Sequence, residues 1–288
     1  MSEQLKGFLI TSLGVLLVVP DSLFVRLIDA PPMIIAFWRG AMAGGFIFVA
    51  IIVFQGASGF SKVLRSGLAG WLYIFLIGST TPAFVLAISH TTVANAVFIL
   101  ATTPVFASIL SFVFLRESIG RSTIIAILFA VCGVGVIALG SNSSVVATLK
   151  GDLWALYVAF AYAAALTAVR KVRNVSMIPA IPIAYLGVAL FLGIINSPLG
   201  ALEKNWHLFF MHGAFIALAT CLLTIGPRYL TSPEVSLLIL LESVLAPILI
   251  WLVMEEYPGK LALVGGTMVI IPLLFYNFFM IWVSRTKL

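Results

Sequence analysis

The chain has 288 residues, of which 62% are hydrophobic and only 9% charged, with a mean hydropathy of +1.20. Soluble domains carry about 25% charged and about 45–50% apolar residues, and a 31.0 kDa globule cannot hide this much apolar side chain from water. That excludes a soluble enzyme, a disordered chain and a nucleic-acid-binding module, and the net charge of +6 falls mainly between apolar runs.

A helix needs about 20 apolar residues to cross a bilayer. Ten stretches meet that need. In the first half they are Phe8–Ile28, Met33–Phe54, Leu68–Ser89, Ala94–Leu115 and Ser122–Gly140. In the second half they are Gly151–Arg170, Ala180–Asn196, Leu208–Gly226, Pro233–Met254 and Leu261–Val283. The expected class is an all-α integral membrane protein, and ten spans leave no room for a soluble domain. The opening MSEQLKG leads straight into a span without a small-residue cleavage site, so no removable signal peptide is expected. Cys132 and Cys221 each lie inside an apolar run, which gives no disulfide framework.

Lys and Arg in alternate loops set the orientation. Eleven fall on the side of the termini (Lys6, Lys62, Arg65, Arg116, Arg121, Arg170, Lys171, Arg173, Arg228, Arg285 and Lys287). Four, Arg26, Lys150, Lys204 and Lys260, fall on the other, with Arg39 inside the second span and uncounted. Both termini are therefore expected in the cytoplasm.

The chain repeats itself. Lys6-Gly7 and Arg26 bracket the first span as Lys150-Gly151 and Arg170 bracket the sixth, at an offset of 144. At an offset of 139, Val105 pairs with Val244, Ala107 with Ala246, Glu117 with Glu256 and Gly120 with Gly259. Each half has five spans, an odd number, so the second copy must lie inverted. Inverted repeats are a transporter architecture that binds its substrate near the midplane, where the halves meet. The expected units are 1–140 and 150–288, joined by a linker at 141–149.

Paired five-span halves, Phe37-Trp38-Arg39 opening the second span, and Pro104-Val105-Phe106-Ala107 running to Leu115-Arg116-Glu117 resemble the drug/metabolite transporter superfamily, and most of all its ten-helix EamA-type exporters. The second copy, Glu242 to Glu256, has Ser243 where many members have Pro, with Pro247 displaced. The resemblance implies that spans one, three, four, six, eight and nine enclose the cavity and that spans two, five, seven and ten are peripheral. Within the family the chain looks most like the aromatic amino-acid exporters.

Glu242 is the sharpest candidate. It lies nine positions into its span, where an acidic residue costs about 2.5–3.5 kcal/mol to insert. It offers three roles: ammonium acceptor, proton carrier, or structural partner of Arg39. Arg39 itself is read as snorkelling from a peripheral span. Asp21 follows Pro20 near a helix bend and faces either the vestibule or solvent. Asn95, Phe98, Thr102, Val105 and Phe106 form one stripe of the fourth span, suited to an aromatic ligand, and Trp154, Tyr157 and Ala161 form another in the sixth. Helix packing and interfacial anchoring are the plainer explanations of both stripes.

His90 lies in the outer loop between spans three and four, positioned either to titrate and bind or simply to be solvated. His207 and His212 have the wrong spacing for a helical metal pair and are read as interfacial. Prolines 20, 82, 104, 247 and 272 signal bends, and Gly40-x-x-x-Gly44 signals close helix packing.

No nucleotide-binding loop or H-E-x-x-H zinc motif is present. The expected function is secondary export of small amphipathic metabolites, aromatic amino acids first, by alternating access. The alternatives are export of cationic drugs or other amino acids, or a non-transporting receptor or assembly subunit. No catalytic residue, metal or cofactor is expected, and the partners are a small-molecule substrate and lipid, not nucleic acid, with a functional monomer expected and a dimer as the alternative. The candidate substrate-binding set is His90, Asn95, Phe98, Thr102, Trp154, Tyr157 and Glu242. The topology is checked by single cysteines at Ser143 and Lys171, which should label with an impermeant thiol reagent from opposite sides of intact cells. Labelling of Lys171→Cys from outside would invert the scheme.

Overall fold

The structure is a computed structural model that describes residues 3–116, 121–141 and 148–286. Glu117 and Gly120, Ser143, Lys287 and most of the expected linker lie outside the described residues. All regular structure among those described is helical: α1 (Glu3–Val18), α2 (Asp21–Leu27), α3 (Pro32–Gln55), α4 (Ser58–Leu64), α5 (Gly67–His90), α6 (Val93–Leu100), α7 (Thr103–Leu110), α8 (Arg121–Ser141), α9 (Leu149–Lys171), α10 (Ala180–Ile195), α11 (Leu202–Ile225), α12 (Ser232–Met254) and α13 (Lys260–Thr286). α1 with α2 makes the first span, and α6, α7 and a π turn at Ser111–Leu115 make the fourth. Seven spans are long and apolar enough to cross a membrane by length and composition, and α8, α10 and α13 complete ten. Side chains such as Phe54, Phe75, Ile194 and Leu252 lie exposed on the flanks, as lipid-facing residues should.

Two of the five prolines break helices. Pro20 separates α1 from α2. Pro104 has no N–H for the carbonyl of Leu100, and the Thr103 hydroxyl donates to that carbonyl instead, next to the α6–α7 break. Pro82, Pro247 and Pro272 sit inside continuous helices.

The inverted repeat is visible in local detail. Exchanging each span for its counterpart five later maps the packing onto itself. α5 packs on α9 as α11 packs on α1, α3 on α11 as α10 on α5, and α7 on α9 as α12 on α1. Thr92 caps α6 by accepting from the N–H of Asn95, and Thr231 caps α12 by accepting from Glu234. Among the described residues, the two non-glycine residues with positive φ, Arg116 (57°) and Glu255 (55°), are also 139 apart and follow the fourth and ninth spans. Gly7 abuts Tyr229 and Leu230, and Gly151 abuts His90 and Thr91, at equivalent places. These matches are more specific than apolar similarity, because each fixes a backbone requirement and not merely a composition. Within the bundle, Gly40 and Gly44 let α3 approach Tyr185 and Leu186 of α10, so the small-residue motif packs inside the chain.

One end of the bundle is clamped. Arg26 pairs with Glu256 (Nε to Oε2, 3.2 Å) and donates to the carbonyl of Thr91 at 2.9 Å. Glu256 in turn accepts from the N–H of Val93 at 2.9 Å, which satisfies a free donor at the start of α6. Thr91 donates to buried Asp152 at 2.8 Å, and Thr148 donates to the carbonyl of His90. The ends of spans one, three, four, six and nine are thereby joined. At the other end Arg170, the repeat counterpart of Arg26, donates to the carbonyl of Pro227 at 3.0 Å.

The close approach at Gly151 gives a direct test. A Cβ there would lie 2.6 Å from the carbonyl carbon of His90 and 2.7 Å from the Thr91 nitrogen, both backbone atoms. Gly151→Ala should lower thermal stability of the purified protein by about 1–3 kcal/mol, the usual range for overpacking. Gly187→Ala, with nothing within 4 Å of the new Cβ, should not. Equal melting behaviour of the two variants would contradict the packing described.

Candidate functional site

The break at Pro20 makes Asp21 the first residue of α2, buried to 2% exposure deep among the helices. A carboxylate there must be met by a cation or by hydrogen bonds. Arg39 of α3 supplies both. Its Nε donates to Asp21 Oδ1 at 3.1 Å and its Nη2 to Oδ2 at 2.6 Å, a bidentate fork. Nη1 donates to Thr81 of α5 at 3.2 Å, and the guanidinium lies 5.5 Å from the centroid of Phe84. His212 of α11 completes the group, with Nε2 2.6 Å from Asp21 Oδ1 and its ring stacked on Phe24 at 5.3 Å. His212 is fully buried, and its Nδ1 has no hydrogen-bond partner; neither does the buried hydroxyl of Ser22.

Further polar groups surround this core. Tyr185 of α10 shares a hydrogen bond with Thr220 at 3.0 Å and interacts with Arg39. Tyr73 shares one with Thr224 at 2.7 Å. Glu242 of α12, at 7% exposure, interacts electrostatically with both Asp21 and Arg39, and Tyr162 of α9 lies near it. No hydrogen bond or ion pair holds the Glu242 carboxyl among the described residues. The cluster thus draws on both halves, from α2, α3 and α5 in one and α9 to α12 in the other, where an inverted-repeat carrier places its cargo.

The profile of the EamA-like transporter family matches residues 5–139 and 149–278, almost the whole chain in two copies. The chain belongs to the EamA-like transporter family. An uncharacterized transporter of Bacillus subtilis (strain 168), YetK, is 36% identical over 91 residues, 28% of this chain and 28% of that protein. The chain thus matches under a third of that relative's length. A crystal structure at 15% identity aligns over 96% of this chain and 98% of that one, with a TM-score of 0.69, which shows a common fold.

In this EamA-family structure the expected site residues do not gather in one place. Glu242 joins the buried cluster. Phe98 is buried with its ring against Gly266 of α13, where a Cβ would come within 2.6 Å of it. Thr102 lies in the α6–α7 break and its hydroxyl donates to the carbonyl of Ile99 at 2.7 Å, and the backbone of Asn95 serves the Thr92 cap. Trp154 and Tyr157 meet edge to face, with Tyr157 37% exposed and donating to Ser79 at 2.9 Å. His90 Nδ1 lies 2.9 Å from the carbonyl of Leu86, at the end of its own helix.

Two expectations are corrected. Arg39 does not snorkel: at 7% exposure it points inward and is committed to Asp21, so a pair with Glu242 is not formed. His212 is not interfacial, because α11 begins at Leu202 and not near Leu208, which places His212 ten residues into the helix. Its signal was a histidine inside an apolar run, the same signal that marked Glu242. His207 is exposed, as expected.

The Asp21–Arg39 bond can be tested by breaking it from either side. Removing one partner of a buried pair costs about 3–5 kcal/mol, because the other charge is stranded. Asp21→Asn and Arg39→Gln should each lower thermal stability strongly, and the double variant should recover part of the loss. Additive losses in the double variant would show that the two residues do not act as a pair.

Proposed function

We propose that the protein is a secondary transporter that exports small amphipathic metabolites carrying an amino group, aromatic amino acids foremost, by alternating access. The single observation that carries this reading is Glu242, a buried carboxyl without a hydrogen bond or ion pair among the described residues, in a cluster built from both repeats. Such a group is expensive in a bilayer, and a cargo ammonium is a natural partner for it. Aromatic character fits the surroundings, since Phe24, Phe84, Tyr162 and Tyr185 lie around the ionic groups. Arg39, whose planar fork holds Asp21 in this structure, would take a cargo carboxylate in exchange for it.

On this reading the carrier performs no covalent chemistry and works as a monomer in a bacterial inner membrane. Both termini face the cytoplasm, as the bias of Lys and Arg among the loops requires. The Arg26–Glu256 clamp then lies on the outer side and holds the outer entrance shut in this conformation. Export of other cationic metabolites or drugs is the second reading, favoured by the same unpaired carboxyl.

Counterflow into liposomes separates the two. Preloaded tryptophan or phenylalanine should drive uptake of the labelled amino acid, and Glu242→Gln should raise its apparent KM about tenfold, the scale of one charged hydrogen bond. Counterflow with quaternary cations but not with amino acids would favour the second reading. An unchanged KM in a stable Glu242→Gln protein would remove Glu242 from the cargo site.

A further inference from the structure

The central cluster contains two buried carboxyl groups, Asp21 and Glu242, and one permanent cation, Arg39. Asp21 takes the Nε and Nη2 fork of Arg39, which leaves the Glu242 carboxyl, 7% exposed, without a counter-ion among the described residues. An uncompensated charge in such surroundings costs several kcal/mol, so the cluster must hold one more positive charge at all times. Among the described residues, the remaining titratable groups packed around it are His212 on Asp21, Tyr185 on Arg39, Tyr162 by Glu242, and Tyr73 and Cys221 near Tyr185. None of them is a permanent cation.

Resting on the cargo reading above, we propose that the cluster stays electrically neutral in every bound form, so that the charge of the cargo sets the proton stoichiometry. In the empty carrier the extra positive charge is a proton on the Glu242 carboxyl. A cationic amine displaces it: the O–H bond of Glu242 breaks, the carboxylate pairs with the ammonium, and the proton leaves to water. One proton is exchanged for each amine.

A zwitterionic amino acid behaves differently. Its ammonium again pairs with Glu242, but its carboxylate takes the Arg39 fork from Asp21. Asp21 is then the unpaired acid, and it accepts the proton that Glu242 gave up. His212, whose Nε2 lies 2.6 Å from Asp21 Oδ1, is the adjacent group able to pass or share that proton. Charges within the site sum to zero without any proton leaving it. Two of the buried polar atoms without a hydrogen-bond partner, His212 Nδ1 and Ser22 Oγ, lie beside this exchange, on the ring that touches Asp21 and on the residue next to it. The same carrier is therefore a proton antiporter for amines and a proton-neutral carrier for amino acids.

The test uses purified full-length protein in detergent, weakly buffered at neutral pH with an indicator dye, titrated with tryptamine or with tryptophan. Tryptamine should release one proton per site and tryptophan none, and Glu242→Gln should abolish the release. Equal release by the two ligands, or tryptamine binding without release, would overturn the proposal. If neither ligand binds, the cargo reading fails and infrared spectroscopy decides the resting state on its own. The wild type should show a protonated-carboxyl band at neutral pH that is lost in Glu242→Gln, and its absence from the wild type would overturn the proposal.

Discussion

The ion pair between Asp21 and Arg39 is the constraint on which the centre of this protein depends. Neither charge could stay in the interior of a membrane bundle alone, and the two meet in a bidentate fork that meets most of the hydrogen-bonding needs of both. The pair ties the broken first span to the second, and through Thr81 and His212 to the third and eighth. Arg39 is thus saturated, and Glu242 is the acid left over. The chemistry of the site follows from that imbalance more than from any single residue.

The inverted repeat explains how such a site comes to lie between the two halves. Equivalent Thr caps, equivalent left-handed residues and equivalent glycine contacts place the start and end of each core span in matching environments on opposite sides. Arg26 and Arg170 belong to the same scheme. Each reaches from the end of its span to a carbonyl in the loop that leads into the fourth or ninth span. On one side Glu256 reinforces the contact with an ion pair and a helix cap. The two contacts lie on opposite sides of the bundle, with the Asp21–Arg39 pair between them.

Much of this was legible in the sequence because it rests on one-dimensional signals. Apolar length located ten spans to within a few residues, and the offsets of 144 and 139 located the repeat. Glu242 stood out because an acid is rare at that depth. Other features needed the third dimension. Periodicity placed Phe98 and Thr102 on a shared stripe but could not say that Gly266 would cover the Phe98 ring. The resemblance makes the span of Arg39 peripheral as a whole, but one face of α3 is buried against α5, α10 and α11. The depth of His212 depends on where the eighth span begins: Glu203 and Lys204 read as loop in the sequence but lie in the first turn of α11.

Reaction with a hydrophobic carbodiimide tests most directly whether Glu242 is a buried, ligand-accessible acid, because the reagent partitions into membranes and modifies protonated carboxyl groups. Peptide mapping should find the adduct on Glu242 and not on Asp21, and saturating tryptophan should slow its formation. An adduct on Asp21 instead, or labelling of Glu242 at the same rate with and without any cargo tested, would contradict the assignment of Glu242 as the acid that meets the cargo.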